Sequence, residues 1–130
     1  MGKAEPGAVR RKIVIVDDDV LIRETVRLAL DHAGYYVIAV GDPGRALATV
    51  RAEKPDLVIM DLYMPGFDGR ELIRSLKSDP EIAATPVILF SGSDEAIDVV
   101  SGLQSGAVEY LGKPIDGEVL LSKIRHILKG

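Results

Sequence analysis

The 130-residue chain contains no cysteine and no tryptophan, and it has no apolar run near the roughly 18 residues that a membrane-spanning helix needs. The missing cysteine excludes disulfides and thiolate metal sites, which suits a reducing compartment, and we expect a cytoplasmic protein. Basic residues are fewer than acidic ones: the net charge is −4, which argues against a surface that binds nucleic acid. What is present, 47% apolar and 28% charged residues, is the ordinary balance of one globular domain.

After the first eleven residues, short apolar runs alternate with segments of helical periodicity. Residues 1–11 show no period and contain glycine and proline, which predicts a flexible tail before a domain at 12–129. The apolar runs are rich in β-branched residues, as in strands buried on both faces of a parallel sheet: IVIV (13–16), YVIAV (36–40), LVIM (57–60), VILF (87–90) and VEYL (108–111). The pattern predicts a doubly wound α/β fold, a flavodoxin-like (βα)5 three-layer sandwich with a parallel five-stranded sheet in the order 2-1-3-4-5.

Capping residues predict where the helices between these strands begin. The predicted starts follow or include Asp19, Asp42-Pro43, Gly69, Ser93-Asp94-Glu95 and Asp116. Glycines at 34 and 106 fall where the first and fourth helices are expected to end.

Four of the five predicted strands are followed by polar residues suited to chemistry. Asp17 and Asp18 end the first strand, Asp61 the third and Ser91 the fourth, and Lys113 comes just after the fifth. Ligands of open parallel sheets bind beyond the carboxyl ends of the strands, and in the expected order these four strands are neighbours. The sequence therefore predicts that residues almost a hundred positions apart converge on one edge of the sheet.

Three carboxylates in one cleft require a compensating charge. At an effective dielectric constant of about 20, two unit charges about 4 Å apart repel by roughly 4 kcal/mol. Oxygen ligands without histidine or cysteine suit Mg²⁺, which prefers to share its coordination with a phosphate. A carboxylate that attacks a phosphoryl group would need that metal and a lysine such as Lys113 to neutralise the approaching charges, while Ser91 can hydrogen-bond a phosphoryl oxygen.

Four segments resemble the signature segments of response-regulator receiver domains of two-component systems, the CheY-like superfamily. They are IVIVDDD (13–19), LVIMDLYMPGFDG (57–69), PVILFSG (86–92) and EYLGKP (109–114), in the order of that family, and the resemblance covers about residues 12–129. It implies a phosphoacceptor that takes its phosphoryl group from a sensor histidine kinase or a histidine phosphotransfer protein, a signalling role without substrate turnover.

The resemblance also implies a role for each matching residue. Asp61 corresponds to the phosphorylation site and Lys113 to the invariant lysine, while Ser91 and Tyr110 correspond to the switch pair. The Mg²⁺ ligands would be Asp61, Asp18 directly, Asp17 mainly through water, and the backbone carbonyl of Tyr63. The bond before Pro114 is typically cis in the family. Ser91 replaces the commoner threonine, and Gly92 replaces the usual alanine. In the family, the positions of Tyr63 and Ser93 tune the rate of dephosphorylation, and these two residues leave the lifetime of the phosphate open.

Two surfaces are candidates for partner docking. Leu21, Thr25 and Leu28 form a row off the core stripe of the first helix, which is either ordinary exposed surface or a docking face for the phosphodonor. Ile97 and Val119 lie off the core stripes of the fourth and fifth helices. In the family, the face of helix 4, strand 5 and helix 5 carries the output to a downstream protein or a homodimer.

Two other functions compete with a working receiver. Asp17-x-Asp19-Val20-Leu21 also resembles the nucleophile motif of haloacid-dehalogenase-type phosphatases, but that interpretation needs acidic ligands on a further strand after Lys113 and leaves Asp61 unexplained. A degenerate receiver acting only as a binding scaffold is the second rival, and the intact set of acidic, serine and lysine residues argues against it. The chain is either a stand-alone regulator or part of a longer protein.

Overall fold

A computed structural model describes residues 10–92 and 95–129 and contains one parallel five-stranded sheet. Its strands, in chain order, are β1 (Lys12–Val16), β2 (Tyr36–Val40), β3 (Leu57–Asp61), β4 (Val87–Ser91) and β5 (Glu109–Gly112). Their order in the sheet is β2-β1-β3-β4-β5, with every pair parallel. The predicted fold class and strand order are confirmed.

Five α-helices connect the strands: α1 (Val20–His32), α2 (Ala46–Glu53), α3 (Gly69–Lys77), α4 (Ala96–Ser105) and α5 (Gly117–Leu128). Asp19 caps α1 and Asp116 caps α5 through their side chains, as predicted. The second helix begins later than predicted, because Asp42 caps a 3-10 turn at Pro43–Arg45 that precedes α2. The predicted start of the fourth helix at Ser93-Asp94 lies outside the described residues, and Glu95 is the residue before α4.

The sheet separates two hydrophobic clusters, because successive side chains of a strand point to opposite faces. Ile13 and Ile15 of β1 pack with α1 and α5, whereas Val14 and Val16 pack on the side of α2 and α3. Strands β1, β3 and β4 are buried on both faces as predicted. The prediction is wrong for β2 and β5, which are partly exposed because they are the edges of the sheet.

The N-terminal part of the chain is described only from Arg10. Residues 1–9 of the predicted tail lie outside the described residues, so the tail and the 12–129 boundary stay predictions. Arg10 Nη2 donates to the carbonyl of Tyr35 at 2.6 Å, and Arg11 pairs with Asp56 at 3.7 Å. Within residues 10–92 and 95–129, none of the helices has the length and apolar character needed to cross a membrane.

Candidate functional site

Polar side chains from four strands meet at the carboxyl edge of the sheet. Asp17 follows β1, Asp61 and Ser91 end β3 and β4, and Lys113 follows β5. The first three are 0%, 6% and 3% exposed, and among the described residues they are the buried polar or charged ones. Lys113 Nζ donates to Asp61 Oδ2 at 2.9 Å and lies 3.5 Å from Asp17 Oδ2. The structure thus brings together the side chains that the sequence placed at the ends of separate strands.

Backbone contacts set the positions of these side chains. The N–H of Asp17 donates to the carbonyl of Val40 at 3.1 Å, so the chain continues the β1–β2 pairing beyond the last strand residue. The N–H of Lys113 donates to the carbonyl of Ser91 at 2.8 Å, which aligns the ends of β5 and β4. The Lys113–Pro114 peptide bond is cis, as the resemblance implied.

The loop after Asp61 folds back on itself, and Gly69 allows it. Gly69 N–H donates to the carbonyl of Leu62 at 2.6 Å. A β-carbon at position 69 would lie 2.8 Å from the carbonyl oxygen of Asp61, closer than side chains come to backbone. Between these residues, Tyr63–Met64 and Phe67–Asp68 form a short antiparallel hairpin. The missing side chain at 69 therefore lets α3 begin directly against the end of β3.

Three carboxylates converge on one point in the cleft. Asp17, Asp18 and Asp61 each place an oxygen within 4.8 Å of the other two, and Asp18 is the exposed member. Burial raises the pKa of Asp17, and the charges of Asp61 and Asp18 add to the effect against the opposing hydrogen bond from Asp19 and charge of Lys113. Burial lowers the pKa of Lys113, but the hydrogen bond and charge of Asp61 outweigh it and leave that pKa raised. The single lysine therefore offsets only part of the negative charge.

The Asp17 carboxylate carries the clearest sign of an ionic ligand. Its Oδ1 accepts the N–H of Asp19 at 2.9 Å, whereas Oδ2 is fully buried, has no hydrogen-bond partner within the described ranges and faces the Lys113 ammonium at ion-pair distance, 3.5 Å. A buried charged oxygen without a hydrogen bond costs stability, and Lys113, which lies closer to Asp61, compensates it only in part. Oxygen-only donors of this kind fit a hard divalent cation. The acidic cluster can bind a metal ion.

Of the two aromatic residues among the predicted site residues, Tyr63 contacts the cleft and Tyr110 packs against the core. The N–H of Tyr63 donates to Asp61 Oδ1 at 3.4 Å, and its hydroxyl donates to Asp98 Oδ1 of α4 at 2.8 Å. Tyr110 is half-buried and packs against the core cluster on the α2–α3 side of the sheet. Gly102 of α4 faces it, since a β-carbon there would lie 3.4 Å from the Tyr110 ring. Ser93, the other predicted tuning position, lies outside the described residues.

Both predicted docking surfaces are exposed. Leu21 and Leu28 are 75% and 58% exposed, and Thr25 is exposed between them. Leu21 and Thr25 also line an apolar groove of about 590 Å³ between α1 and α5 that reaches Lys113; Leu28 does not line it. On the other surface, Ile97 is 72% and Val119 45% exposed. The α1–α5 groove thus opens next to the acidic cleft.

Two residues that bind Tyr63 were not predicted from the sequence. Arg70 follows two positions after Asp68, whose side chain caps α3. Asp98 lies 35 positions from Tyr63, in the first turn of α4. Sequence spacing does not indicate the contacts among Tyr63, Arg70 and Asp98, because these residues come from three separate elements.

Comparison with known proteins assigns the class of the chain. The family model described as the response regulator receiver domain matches residues 13–125, and the chain belongs to that family. It is 40% identical over 117 residues to the transcriptional regulatory protein CseB of Streptomyces coelicolor, covering 90% of this chain and 49% of that protein. It is 35% identical over 121 residues to the DNA-binding response regulator MtrA of Mycobacterium tuberculosis, covering 93% and 52%.

A solved structure of the same family matches over its whole length. The chemotaxis response regulator CheY4 of Vibrio cholerae superposes with a TM-score of 0.86 at 29% identity, covering 92% of this chain and all of that one. By contrast, the chain spans about half the length of the curated relatives it matches. The protein is a receiver domain of the response-regulator family, and the family resemblance seen in its motifs is confirmed.

Proposed function

We propose that Asp61 accepts a phosphoryl group from a phosphohistidine on a sensor histidine kinase or a histidine phosphotransfer protein. The observation that carries this proposal is the buried Asp61 carboxylate, bonded to Lys113 at 2.9 Å and close to two further carboxylates. A carboxylate oxygen attacks phosphorus, the N–P bond breaks, and the donor histidine keeps that electron pair. The nearby ammonium of Lys113 reduces the repulsion between the attacking and transferred groups.

The proposed cofactor is Mg²⁺, held by Asp17, Asp18, Asp61 and the backbone carbonyl of Tyr63. The convergent oxygens support it, as does the buried Oδ2 of Asp17, which has no hydrogen bond within the described residues. When bound, Mg²⁺ supplies positive charge against the phosphoryl oxygens. Lys113 supplies the second positive charge from the end of β5, and it is already held in place by Asp61.

Ser91 and Tyr110 are proposed to report the phosphoryl group to the surface. The Ser91 hydroxyl, at the end of β4, would donate to a phosphoryl oxygen, and Tyr110 would move further inward beside Gly102. The face of α4, β5 and α5, with Ile97 and Val119, would then change its affinity for a downstream protein or a second copy. Such a switch is a two-state element that one charged group biases.

The phosphodonor is proposed to dock on α1. Leu21 and Thr25 stand at the rim of the α1–α5 groove, which reaches Lys113. An apolar surface next to the cleft can hold a partner helix while its histidine faces Asp61. Leu28 continues this row along α1 and would extend the contact.

The output depends on what accompanies the receiver. CseB is named a transcriptional regulatory protein and MtrA a DNA-binding response regulator, and this chain covers only about half of each. We propose that this domain itself makes no direct contact with nucleic acid and acts through protein contacts. The cytoplasmic location stays a prediction from the sequence.

Acetyl phosphate tests the acceptor role without any partner protein. With Mg²⁺, the wild-type chain should gain the mass of one phosphoryl group, and Asp61→Asn should not. Asp31→Asn, near the C-terminal end of α1, is a matched control that should still be phosphorylated. A wild-type chain that gains no mass would support the scaffold alternative, and steady hydrolysis of phosphate esters that depends on Asp17 would support a phosphatase.

A further inference from the structure

Arg70, in the first turn of α3, joins three parts of the fold. Its Nε and Nη2 donate to the two carboxylate oxygens of Asp68 at 2.9 and 2.6 Å. Nη2 also donates to the Tyr63 hydroxyl at 3.0 Å, and Nη1 donates to Ser101 Oγ at 2.7 Å and to Asp98 Oδ1 at 3.4 Å. All five N–H donors of the guanidinium therefore meet an acceptor. We call these five residues the Arg70 clamp.

The Arg70 clamp is more than a set of loose surface ion pairs. The side chains of Arg70 and Asp98 are only 17% and 14% exposed, and the guanidinium carbon lies 5.3 Å from the centre of the Tyr63 ring. The hydrogen bond to Asp98 raises the pKa of the Tyr63 phenol, and the bond to Asp68 raises the pKa of Arg70. Charge-assisted, two-pronged bonds with partial shielding hold geometry better than exposed pairs do.

The clamp holds the main chain next to the phosphoacceptor. Tyr63 and Asp68 face each other across the short hairpin after β3, and Arg70 binds both of their side chains. The backbone N–H of the same residue, Tyr63, donates to Asp61 Oδ1 at 3.4 Å. The position of this backbone, two residues from Asp61, therefore depends on a guanidinium that also binds Asp98 and Ser101 of α4.

We propose that Arg70 is a positioning residue for the acidic cleft: it fixes the Tyr63 backbone as a ligand and links the occupied cleft to α4. The inference rests on the proposed function, since it takes the Tyr63 carbonyl as a ligand of Mg²⁺. A backbone that is ordered before binding leaves less entropy to be lost on binding. Because coupling is reciprocal, occupation of the cleft then restrains α4 through the same bonds.

The affinity for Mg²⁺ shows whether Arg70 positions the Tyr63 backbone as a ligand or only stabilises the fold. In the full chain, Arg70→Gln should bind Mg²⁺ about tenfold more weakly in calorimetric titrations, since residues that orient a ligand typically affect affinity on this scale. Arg74→Gln, which removes an equal charge from an exposed position of α3, should bind like the wild type. Arg70→Lys should resemble Arg70→Gln, because an ammonium cannot bind Asp68, Tyr63 and Ser101 together.

Tyr63→Phe removes only the hydroxyl that Arg70 binds, and it tests the same contact if Arg70→Gln does not fold. It should weaken Mg²⁺ binding in the same direction, and the double variant should be little worse than Arg70→Gln, because the two act through one contact. Amide hydrogen exchange gives the second readout: Mg²⁺ with beryllofluoride, a phosphoryl mimic, should slow exchange in α4 of the wild type and of Arg74→Gln. That slowing should be absent in Arg70→Gln and Tyr63→Phe.

The outcomes separate this inference from the proposed function. If Arg70→Gln and Tyr63→Phe only lower the melting temperature and bind Mg²⁺ as tightly as the wild type, the clamp is a brace and the inference is overturned. In that case phosphorylation of the wild type by acetyl phosphate would leave the proposed function standing. If the wild type neither binds Mg²⁺ nor accepts phosphate, the proposed function and the inference fall together.

Discussion

Replacing Asp17 by asparagine should stabilise the metal-free protein, even though Asp17 is the most buried acidic residue of the cleft. At an effective dielectric constant of about 20, carboxylates within 4.8 Å of one another repel by at least roughly 3.5 kcal/mol per pair. Among the described residues, Asp17 has two such neighbours and one cation within ion-pair distance, Lys113 at 3.5 Å, whose attraction is roughly 5 kcal/mol. The net interaction of Asp17 with these three charged groups is therefore repulsive by roughly 2 kcal/mol, before the cost of burying its charge and the opposing hydrogen bond from Asp19 are counted.

The same reasoning predicts a smaller effect on stability for a substitution of Asp61. Lys113 lies 2.9 Å from Asp61, so its attraction of roughly 6 kcal/mol almost balances the repulsion from the other two carboxylates. We expect Asp61→Asn to change stability little in the absence of metal and Asp17→Asn to raise the melting temperature by about 6 °C. The asparagine that replaces Asp17 can still accept the N–H of Asp19 through its amide oxygen, so the local turn is kept.

Thermal melting followed by circular dichroism, in EDTA and in Mg²⁺, measures both effects. In EDTA the order should be Asp17→Asn above Asp61→Asn and wild type. With Mg²⁺ at ten times its dissociation constant the wild type should gain about 1.4 kcal/mol, and Asp17→Asn less. A melting temperature of Asp17→Asn below that of the wild type in EDTA would refute the charge argument.

The pH dependence has a defined sign. Because the pKa of Asp17 is raised in the folded state, the folded wild type takes up a proton before the unfolded chain does as the pH falls. The destabilising charge is fully present above that raised pKa and is relieved below it. The advantage of Asp17→Asn should therefore be present at neutral pH and shrink on acidification.

Three further predictions address other parts of the fold. Gly102→Ala places a β-carbon 2.8 Å from a core leucine and should destabilise the protein by about 1–3 kcal/mol in urea titrations, whereas Gly117→Ala, with nothing within 4 Å, should not. Arg51→Gln should raise the pKa of Asp79 in carboxyl NMR titrations, because their 2.6 Å ion pair holds that pKa below its usual range; an unmoved pKa would contradict this. Leu21→Gln should slow phosphotransfer from a phosphohistidine protein about tenfold and leave phosphorylation by acetyl phosphate unchanged; equal slowing of both would argue against docking.

The elements and the cleft residues could be predicted because their signals are local. The run Ile13–Val16 is apolar at every position and ends in carboxylates, so its burial and its polar end are both visible in the sequence. Convergence of Asp17, Asp61 and Lys113 then follows from strand order alone. The apolar composition of Tyr36–Val40 alone predicted burial on both faces, whereas the predicted strand order already placed this run at an edge, where its partial exposure follows from the missing neighbour.

The contacts of Tyr63 could not be predicted for a different reason. Its hydroxyl meets Asp98 and Arg70 only because α3 and α4 pack side by side, and the relative position of two helices is set by tertiary packing. Likewise, the sequence does not distinguish the adjacent residues Asp17 and Asp18, yet Asp17 is fully buried and Asp18 is exposed. The direction of a side chain at the end of a strand decides this.

The division of the core by the sheet has a consequence for how such a domain can diversify. The groove beside α1 is lined by members of one hydrophobic cluster, among them Val26 and Leu120, while the Arg70 clamp lies on the side of the other. Substitutions on opposite sides share no packing partners, and their effects on stability should add to within about 0.5 kcal/mol. Recognition of a donor and adjustment of α4 can thus be altered one at a time, so a change of partner on one side need not disturb the response on the other.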